Sequence, residues 1–429
     1  MTNLKRLFAA ILLSSAVFAA EWPHFLGPTY NGTSSETGLL HEFPPQGPAK
    51  LWEYPKGKGH SVPAISSGLA VVFHTVDEDE TVDAIDITTG ERKWRFSYEA
   101  PYTPQFGGGN GPCTNPTIAN GRVFTLGINS LLHCLELKTG ELLWKRDLAR
   151  EYKLSPTFFG QGGTPCVIGK LLIVSLGTSD DKSLVALDAS TGEEVWATKH
   201  TWGSSYASPI PASIRGRECI LAFQGGMSDP PTGGLLVIDA KTGEVLSATP
   251  HRAKMYASVS VSSPVVSGNR VFVGEAYTEG GICIEIAPDF SAKVVWRAPK
   301  FDPYLVTPVS QEGNLYAFVG QHQQNAELAC YEIATGKETW RNDLGGKFQR
   351  ASLLRADGGF LCLGENGDLA WLDLSATGPT IRSQTKLFNA AETWTPPVIS
   401  DARLFVCQNE AGSGGTKRRV VCYDLRGAR

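Results

Sequence analysis

Ala84-Ile85-Asp86-Ile87-Thr88-Thr89-Gly90-Glu91-Arg92-Lys93-Trp94 is the stretch whose recurrence decides the fold. It returns without gaps as Ala186-Leu187-Asp188-Ala189-Ser190-Thr191-Gly192-Glu193-Glu194-Val195-Trp196. It returns again at 134–144 and 330–340, with Cys134 and Cys330 for the leading Ala, Glu136 and Glu332 for Asp, and Trp144 and Trp340 at the end. A fifth copy keeps Asp239, Thr242 and Gly243 but carries Ser247 where Trp is expected. Weaker copies lie at Cys283-Ile284-Glu285 with Trp296 arriving late, at Trp371-Leu372-Asp373 and at Cys422-Tyr423-Asp424.

A second landmark precedes each copy. Pro63, Pro116, Pro165, Pro209, Pro264, Pro308 and Pro397 each open a short apolar run, and Leu353 holds that place in the one unit without Pro. The steps between them are 53, 49, 44, 55, 44, 45 and 44 residues, which makes eight units, each long enough for four short strands. Pro lacks a ladder donor and belongs at a strand's first residue or on an edge. The apolar alternation that follows has the period of strands. An acidic side chain ahead of Thr-Gly accepts hydrogen bonds from turn amides, and Gly supplies positive φ. The Trp then falls on an outer strand, where its flat face covers the next unit and its indole N–H requires an acceptor. One such unit cannot bury both faces, so the units stack and the array closes. The reading is an all-β, eight-bladed propeller of four-stranded blades. The last unit has no outer strand of its own, while Leu51-Trp52-Glu53-Tyr54 stands alone before the first Pro; Trp52's strand is expected to complete the eighth blade.

The bulk composition agrees. Of 429 residues, 42% are hydrophobic, with 46 Gly and 26 Pro, as many short strands and tight turns require. A net charge of −4 gives no electrostatic footprint for nucleic acid or an anionic membrane. Residues 1–20 read as a signal peptide: Lys5 and Arg6, an apolar run at 7–18, and Val17-Phe18-Ala19 before cleavage near Ala19-Ala20. No Cys follows it, so no lipid anchor is expected there. No later run is apolar enough to cross a bilayer. The expected organisation is therefore signal peptide 1–20, N-terminal extension 21–50 and a single propeller 51–429, periplasmic or secreted and monomeric. Nine cysteines, an odd number, show no Cys-x-x-Cys and no Cys-Cys, and Cys134, Cys283, Cys330 and Cys422 fall where Ala84 and Ala186 fall in other copies, a position that wants a small buried side chain.

The eleven-residue line resembles the tryptophan-docking motif of the pyrroloquinoline-quinone (PQQ) repeat propellers. That family includes the quinoprotein alcohol dehydrogenases and the outer-membrane-protein-assembly propeller of bacteria. The resemblance covers about residues 51–425, and Trp22-Pro23-His24-Phe25-Leu26-Gly27-Pro28 is similar to a segment that often precedes such propellers. It implies structural docking roles for Asp86, Gly90, Trp94, Trp144, Asp188, Gly192, Trp196, Trp340 and Trp52. It implies no catalytic activity, because one such fold hosts many functions. The family's dehydrogenases hold PQQ in the funnel with calcium or a lanthanide, ligated by carboxylates and an Asn, with an Asp as base and the quinone stacked between a Trp and a vicinal disulfide. This chain has no vicinal cysteines.

Loops at one mouth of a rigid ring are where a ligand would bind. The residues just before each strand-opening Pro are His60, Asn110, Gln161, Tyr206, Tyr304, Arg350 and Trp394, with Asn115 next to Pro116. They read either as a small-molecule or peptide site, with Arg350 as anion contact and Trp394 as stacking face, or as the ordinary polar lining of a water-filled channel. The eight His residues show no paired ligand spacing, so no metal site is assigned. Gly107–Gly111 lacks the Lys and helix of a phosphate loop, Asp77-Glu78-Asp79-Glu80 reads as a solvated hairpin tip, and Lys417-Arg418-Arg419 as a solvated strand start. Three functions remain open. The first is a non-catalytic binding or scaffold module for protein or peptide partners, envelope assembly among its roles, with no cofactor. The second is a PQQ- and metal-dependent alcohol or sugar dehydrogenase. The third is carbohydrate binding, which has no motif behind it.

Overall fold

A computed structural model describes residues 20–102, 111–154, 157–178, 180–320 and 326–427. Among the described residues, thirty-two strands form eight separate four-stranded antiparallel sheets. Seven blades are contiguous in sequence, at 64–99, 117–147, 166–199, 210–250, 265–298, 309–342 and 351–386. In each of these the strands hydrogen-bond in chain order from the channel outward. The expected positions hold: Pro63, Pro116, Pro165, Pro209, Pro264, Pro308 and Pro397 each immediately precede an innermost strand of three to five residues. The unit without Pro opens on a longer strand, Ala351–Ala356.

The eighth blade joins the two ends of the chain. Lys50–Pro55 lies antiparallel to Arg419–Asp424, with Trp52 opposite Cys422 and Tyr54 opposite Val420. Arg419 Nη1 donates to Glu53 Oε2 at 2.6 Å across this pairing. Tyr54 carries the connection into the first blade, where its hydroxyl donates to Asp83 Oδ2 at 2.8 Å.

The seams explain the repeat. Each docking indole N–H donates to a carbonyl of the next blade's turn: Trp52 to Ile87 at 2.9 Å, Trp94 to Leu137 at 2.8 Å, Trp144 to Ala189 at 3.3 Å and Trp196 to Ala240 at 3.1 Å. Trp296 and Trp340 do the same to Ile333 and Ser375. The acidic residue shapes that turn, as when Asp86 Oδ1 accepts from the amides of Thr88 and Thr89 at 2.9 and 3.0 Å. Gly90 is required twice over, by a φ of +75° and because a Cβ there would lie 2.7 Å from Trp52 Cγ. Burying each indole contributes on the order of 3 kcal/mol. Directly across the strand from each Trp stands a small side chain: Ala84 opposite Trp94, Cys134 opposite Trp144, Ala186 opposite Trp196 and Cys330 opposite Trp340. All nine cysteines are unbridged, and those opposite a Trp are fully buried packing residues.

Two seams depart from the pattern. The blade at 351–386 reverses the pair, with Trp371 on the third strand opposite Ser383 on the fourth. Its indole bonds to Leu40 O at 2.8 Å and stacks on His41, so the N-terminal extension replaces the missing docking residue. In the fourth blade Ser247 faces Val237, and no indole covers that seam.

The extension also crosses the channel. Trp22 exchanges backbone hydrogen bonds with Ile65, Pro23 O accepts from Ile118 N, and the Tyr30 hydroxyl accepts from Val167 N. Further along, Gly32 O accepts from Arg355 N. Ile65, Ile118, Val167 and Arg355 lie on four innermost strands, whose free edges would otherwise leave donors and acceptors unpaired. Residues 22–32 thus close one end of the channel with buried Trp22 and Leu26. His24 is packed flat against Tyr30 at 3.8 Å, and burial pushes its pKa down to about 4, so it is neutral.

Candidate functional site

Above that plug lies a central cavity of about 420 Å³. Phe25 reaches it from the N-terminal extension, and the rest of its wall comes from loops leading into the innermost strands. Six residues expected from sequence meet there: His60, Asn115, Tyr206, Tyr304, Arg350 and Trp394. Asn110 lies outside the described residues. Gln161 does not belong to the lining: its side chain is buried in the wall, where Nε2 donates to Ser130 Oγ at 3.0 Å. The wall is largely apolar rather than the polar lining of an ordinary channel. Phe159, Val259, Val261 and Leu305 were not legible as site residues, because nothing marks an apolar loop residue as facing a cavity rather than a core.

The polar groups gather at one side. Arg350 donates from Nε to Glu365 Oε2 at 2.9 Å and from Nη2 to Oε1 at 2.6 Å. Trp394 Nε1 also donates to Glu365 Oε1, at 2.7 Å, so one fully buried carboxylate fixes both side chains. The Trp394 ring has the Arg350 guanidinium carbon 5.1 Å from its centre and the His60 ring stacked at 5.1 Å. His60 Nε2 stands 3.8 Å from Glu392 Oε2, an ion-pair distance beyond hydrogen-bond reach. Burial opposes a charge on His60, but its contacts with Cys113 and Glu392 outweigh burial and hold its pKa up at about 9. The same contact with His60 holds the Glu392 carboxyl below the usual range. These neighbours favour the charged form of His60, which stands beside the Arg350 guanidinium with one carboxylate sealed behind the pair and a second beside it.

Asn115 plays a structural part. Its Oδ1 accepts from Val62 N at 2.8 Å and its own N–H donates to Thr164 Oγ1 at 3.0 Å. The pattern continues around the inner rim: Thr164 N to Ser208 Oγ at 3.0 Å, Ser208 N to Ser263 Oγ at 3.1 Å and Ser263 N to Thr307 Oγ1 at 3.0 Å. Each of these residues directly precedes a strand-opening Pro. A chain of polar side chains therefore ties six consecutive blades, with two bonds where Asn115 meets Thr164 and one at each other seam. The recurring Asn, Thr or Ser before Pro was its signal in the sequence.

Two charged clusters also differ from expectation. Glu80 is buried rather than part of a solvated tip: it accepts from Tyr98 Oη at 2.6 Å and from Ile128 N at 2.8 Å, joining the first blade to the second. Arg418 and Arg419 are half-buried and paired with Glu410 and Glu53.

The resemblance raises PQQ, and the side chains can be tested against it. Among the described lining residues one carboxylate, Glu392, faces the cavity. Glu365 is committed to Arg350 and Trp394, and the Asn115 amide to Thr164 and Val62. No cluster of three or more His, Cys, Asp or Glu among the described residues is arranged for a metal ion. A tricarboxylate quinone bridged to calcium or a lanthanide needs several anionic ligands and several cations, and this set does not fit it. Among the described residues no helix is long and apolar enough to cross a membrane.

Comparison with known proteins points the same way as the repeats. The family described as outer membrane protein assembly factor BamB matches residues 78–299 and 289–380. The BamB protein of Burkholderia pseudomallei (strain K96243) is 26% identical over 352 residues, covering 80% of this chain and 81% of that protein. A polyvinylalcohol dehydrogenase of Pseudomonas sp. is 26% identical over 274 residues, covering 61% of this chain but 37% of the dehydrogenase. Among solved structures, the quinohemoprotein alcohol dehydrogenase of Comamonas testosteroni superposes with a TM-score of 0.63 at 13% identity, covering 96% of this chain and 81% of the other. At that identity the likeness is one of fold.

Proposed function

We propose that this chain, which belongs to the PQQ-repeat propeller family described as outer membrane protein assembly factor BamB, is an exported, non-catalytic scaffold that binds protein partners in the cell envelope. Outer-membrane protein assembly is the process it serves. The observation that carries this reading is the donor set of the channel: the ring is complete, yet a single described carboxylate lines its cavity. The N-terminal reading supports export, and the broad faces of a rigid disc suit the docking of extended segments. The protein acts as a monomer, without a resident cofactor.

Two measurements test this. A photo-crosslinking residue at the exposed positions Val195 or Tyr256, in the native host, is expected to trap components of outer-membrane protein assembly. Crosslinking to no such component would count against the assembly role. Purified protein mixed with PQQ and calcium or a lanthanide is expected to leave a redox dye unreduced across a panel of alcohols and sugars. Stoichiometric PQQ binding with turnover would overturn the non-catalytic reading.

A further inference from the structure

The central cavity carries an inference that is separate from partner docking. Its volume of about 420 Å³ falls in the range of small-molecule sites, roughly 300–1,000 Å³. Most of its wall is aromatic or aliphatic, with Phe25 as floor and Tyr206, Tyr304, Val259 and Leu305 around it. Such a surface favours a flat apolar body, which can stack on or meet the rings edge to face.

Its polar corner is made of donors left without acceptors. Arg350 spends Nε and Nη2 on Glu365, and no described residue accepts from its Nη1. His60 Nε2 is shielded from solvent and has no hydrogen-bond partner, with Glu392 too distant at 3.8 Å. A buried donor without a partner is costly, and a guanidinium edge beside an imidazolium suits a planar anion. Both groups border Trp394, so the acceptor they want lies at the edge of an aromatic surface.

We infer that this cavity binds a small aromatic monocarboxylate, its ring held between Phe25 and the Tyr206 and Val259 walls and its carboxylate set against Arg350 and His60. Two unmatched donors, Arg350 Nη1 and His60 Nε2, suit the two oxygens of a single carboxylate. Glu365 already balances Arg350, and Glu392 stands too far from His60 Nε2 to satisfy it.

The test uses the whole mature protein and 2-naphthoate as probe, with neutral 2-naphthamide as its partner of equal shape. Binding is followed by tryptophan fluorescence and by N-ethylmaleimide labelling of Cys113. That half-buried thiol lines the cavity, whereas the other eight cysteines are buried. The expected result is saturable binding of 2-naphthoate that slows Cys113 labelling, with the amide weaker by about tenfold or more. Val259→Trp, which fills the cavity from a half-buried position, is expected to weaken 2-naphthoate by a similar factor while the protein still melts cooperatively. Equal affinity for acid and amide, unprotected Cys113 at saturation, or no binding at millimolar probe would overturn the inference. So would undiminished binding by folded Val259→Trp. Should that variant not fold, the acid-to-amide ratio and the Cys113 protection decide with the unaltered chain.

Discussion

Trp52 stands directly across from Cys422, repeating between the two ends of the chain the pairing that sets Trp94 across from Ala84 within one blade. The eighth blade is thus built like the others, although these two paired strands are 364 or more residues apart. The strand ranges give this separation directly: 419 − 55 = 364.

If that pairing closes the ring, Trp52→Ala should destabilise the protein by about 3–5 kcal/mol, the range for deleting a large buried aromatic side chain. Trp52→Phe keeps much of the apolar contact with Phe405 but loses the bond to Ile87, and should lose clearly less stability than the Ala variant. Urea unfolding midpoints of the two variants measure the difference.

Two glycines separate backbone strain from packing. Gly121 and Gly140 have φ of +71° and +73°, but a Cβ at Gly121 meets nothing within 4 Å, whereas at Gly140 it would lie 2.5 Å from Trp94 Cε3. Gly121→Ala should cost about 1–2 kcal/mol for left-handed backbone alone. Gly140→Ala should cost about 1–3 kcal/mol more, because the docked indole must move. Thermal or denaturant unfolding of both variants gives the comparison, and equal losses would contradict it.

The rim of hydroxyls makes a similar forecast. Thr164 Oγ1 accepts from both Asn115 N and Asn115 Nδ2, at 3.0 and 2.9 Å. Thr164→Val keeps the shape but strands those donors in a buried place, at a cost of about 1–3 kcal/mol. Amide hydrogen exchange at Asn115 should accelerate in the variant, which a general packing defect elsewhere would not single out.

Acid should act through Asp83. Burial alone would raise its pKa, but hydrogen bonds from Arg95, His74 and Tyr54 overcome this and hold the carboxyl well below the usual range. Gly57 N donates to His74 Nδ1, so His74 is a neutral ring whose Nε2–H donates to Asp83 Oδ2 at 2.9 Å. A carboxyl with a depressed folded pKa stabilises above its unfolded value, near 3.9, and loses that contribution as pH falls further. Asp83→Asn should therefore be less stable at neutral pH and lose stability less steeply below about pH 4. Denaturant unfolding series at several acidic pH values measure the two slopes.

Much of this architecture was legible because it is written in local chemistry. Pro before a strand, an acidic residue and Gly in a turn, and Trp on the outer strand each act within one repeat or on its nearest neighbour, so they recur at fixed spacing. The closure by Trp52 followed from counting strands. What could not be read depends on backbone or on shape. Residues 22–32 bind the inner strand edges largely through main-chain groups, which leave no side-chain signature. The exchange of large and small at Trp371 and Ser383 looks like a degraded repeat until the opposite strand is placed beside it. In the cavity, position in a loop picked out His60, Arg350 and Trp394 but could not tell that Gln161 turns into the wall or that Glu392 faces His60.

The pairing of Lys50–Pro55 with Arg419–Asp424 also dictates a timetable. A ribosome makes the first of these strands hundreds of residues before the second, so its apolar Trp52 and unpaired amides must wait through nearly the whole of translation. The earlier blades fold from neighbours already made, but the circle locks only with the final few residues, and the long loop this closes is entropically demanding. A chain shortened by a dozen residues at its carboxyl end would therefore be left with seven intact leaves, an open flank at each side of the gap and a strong tendency to aggregate.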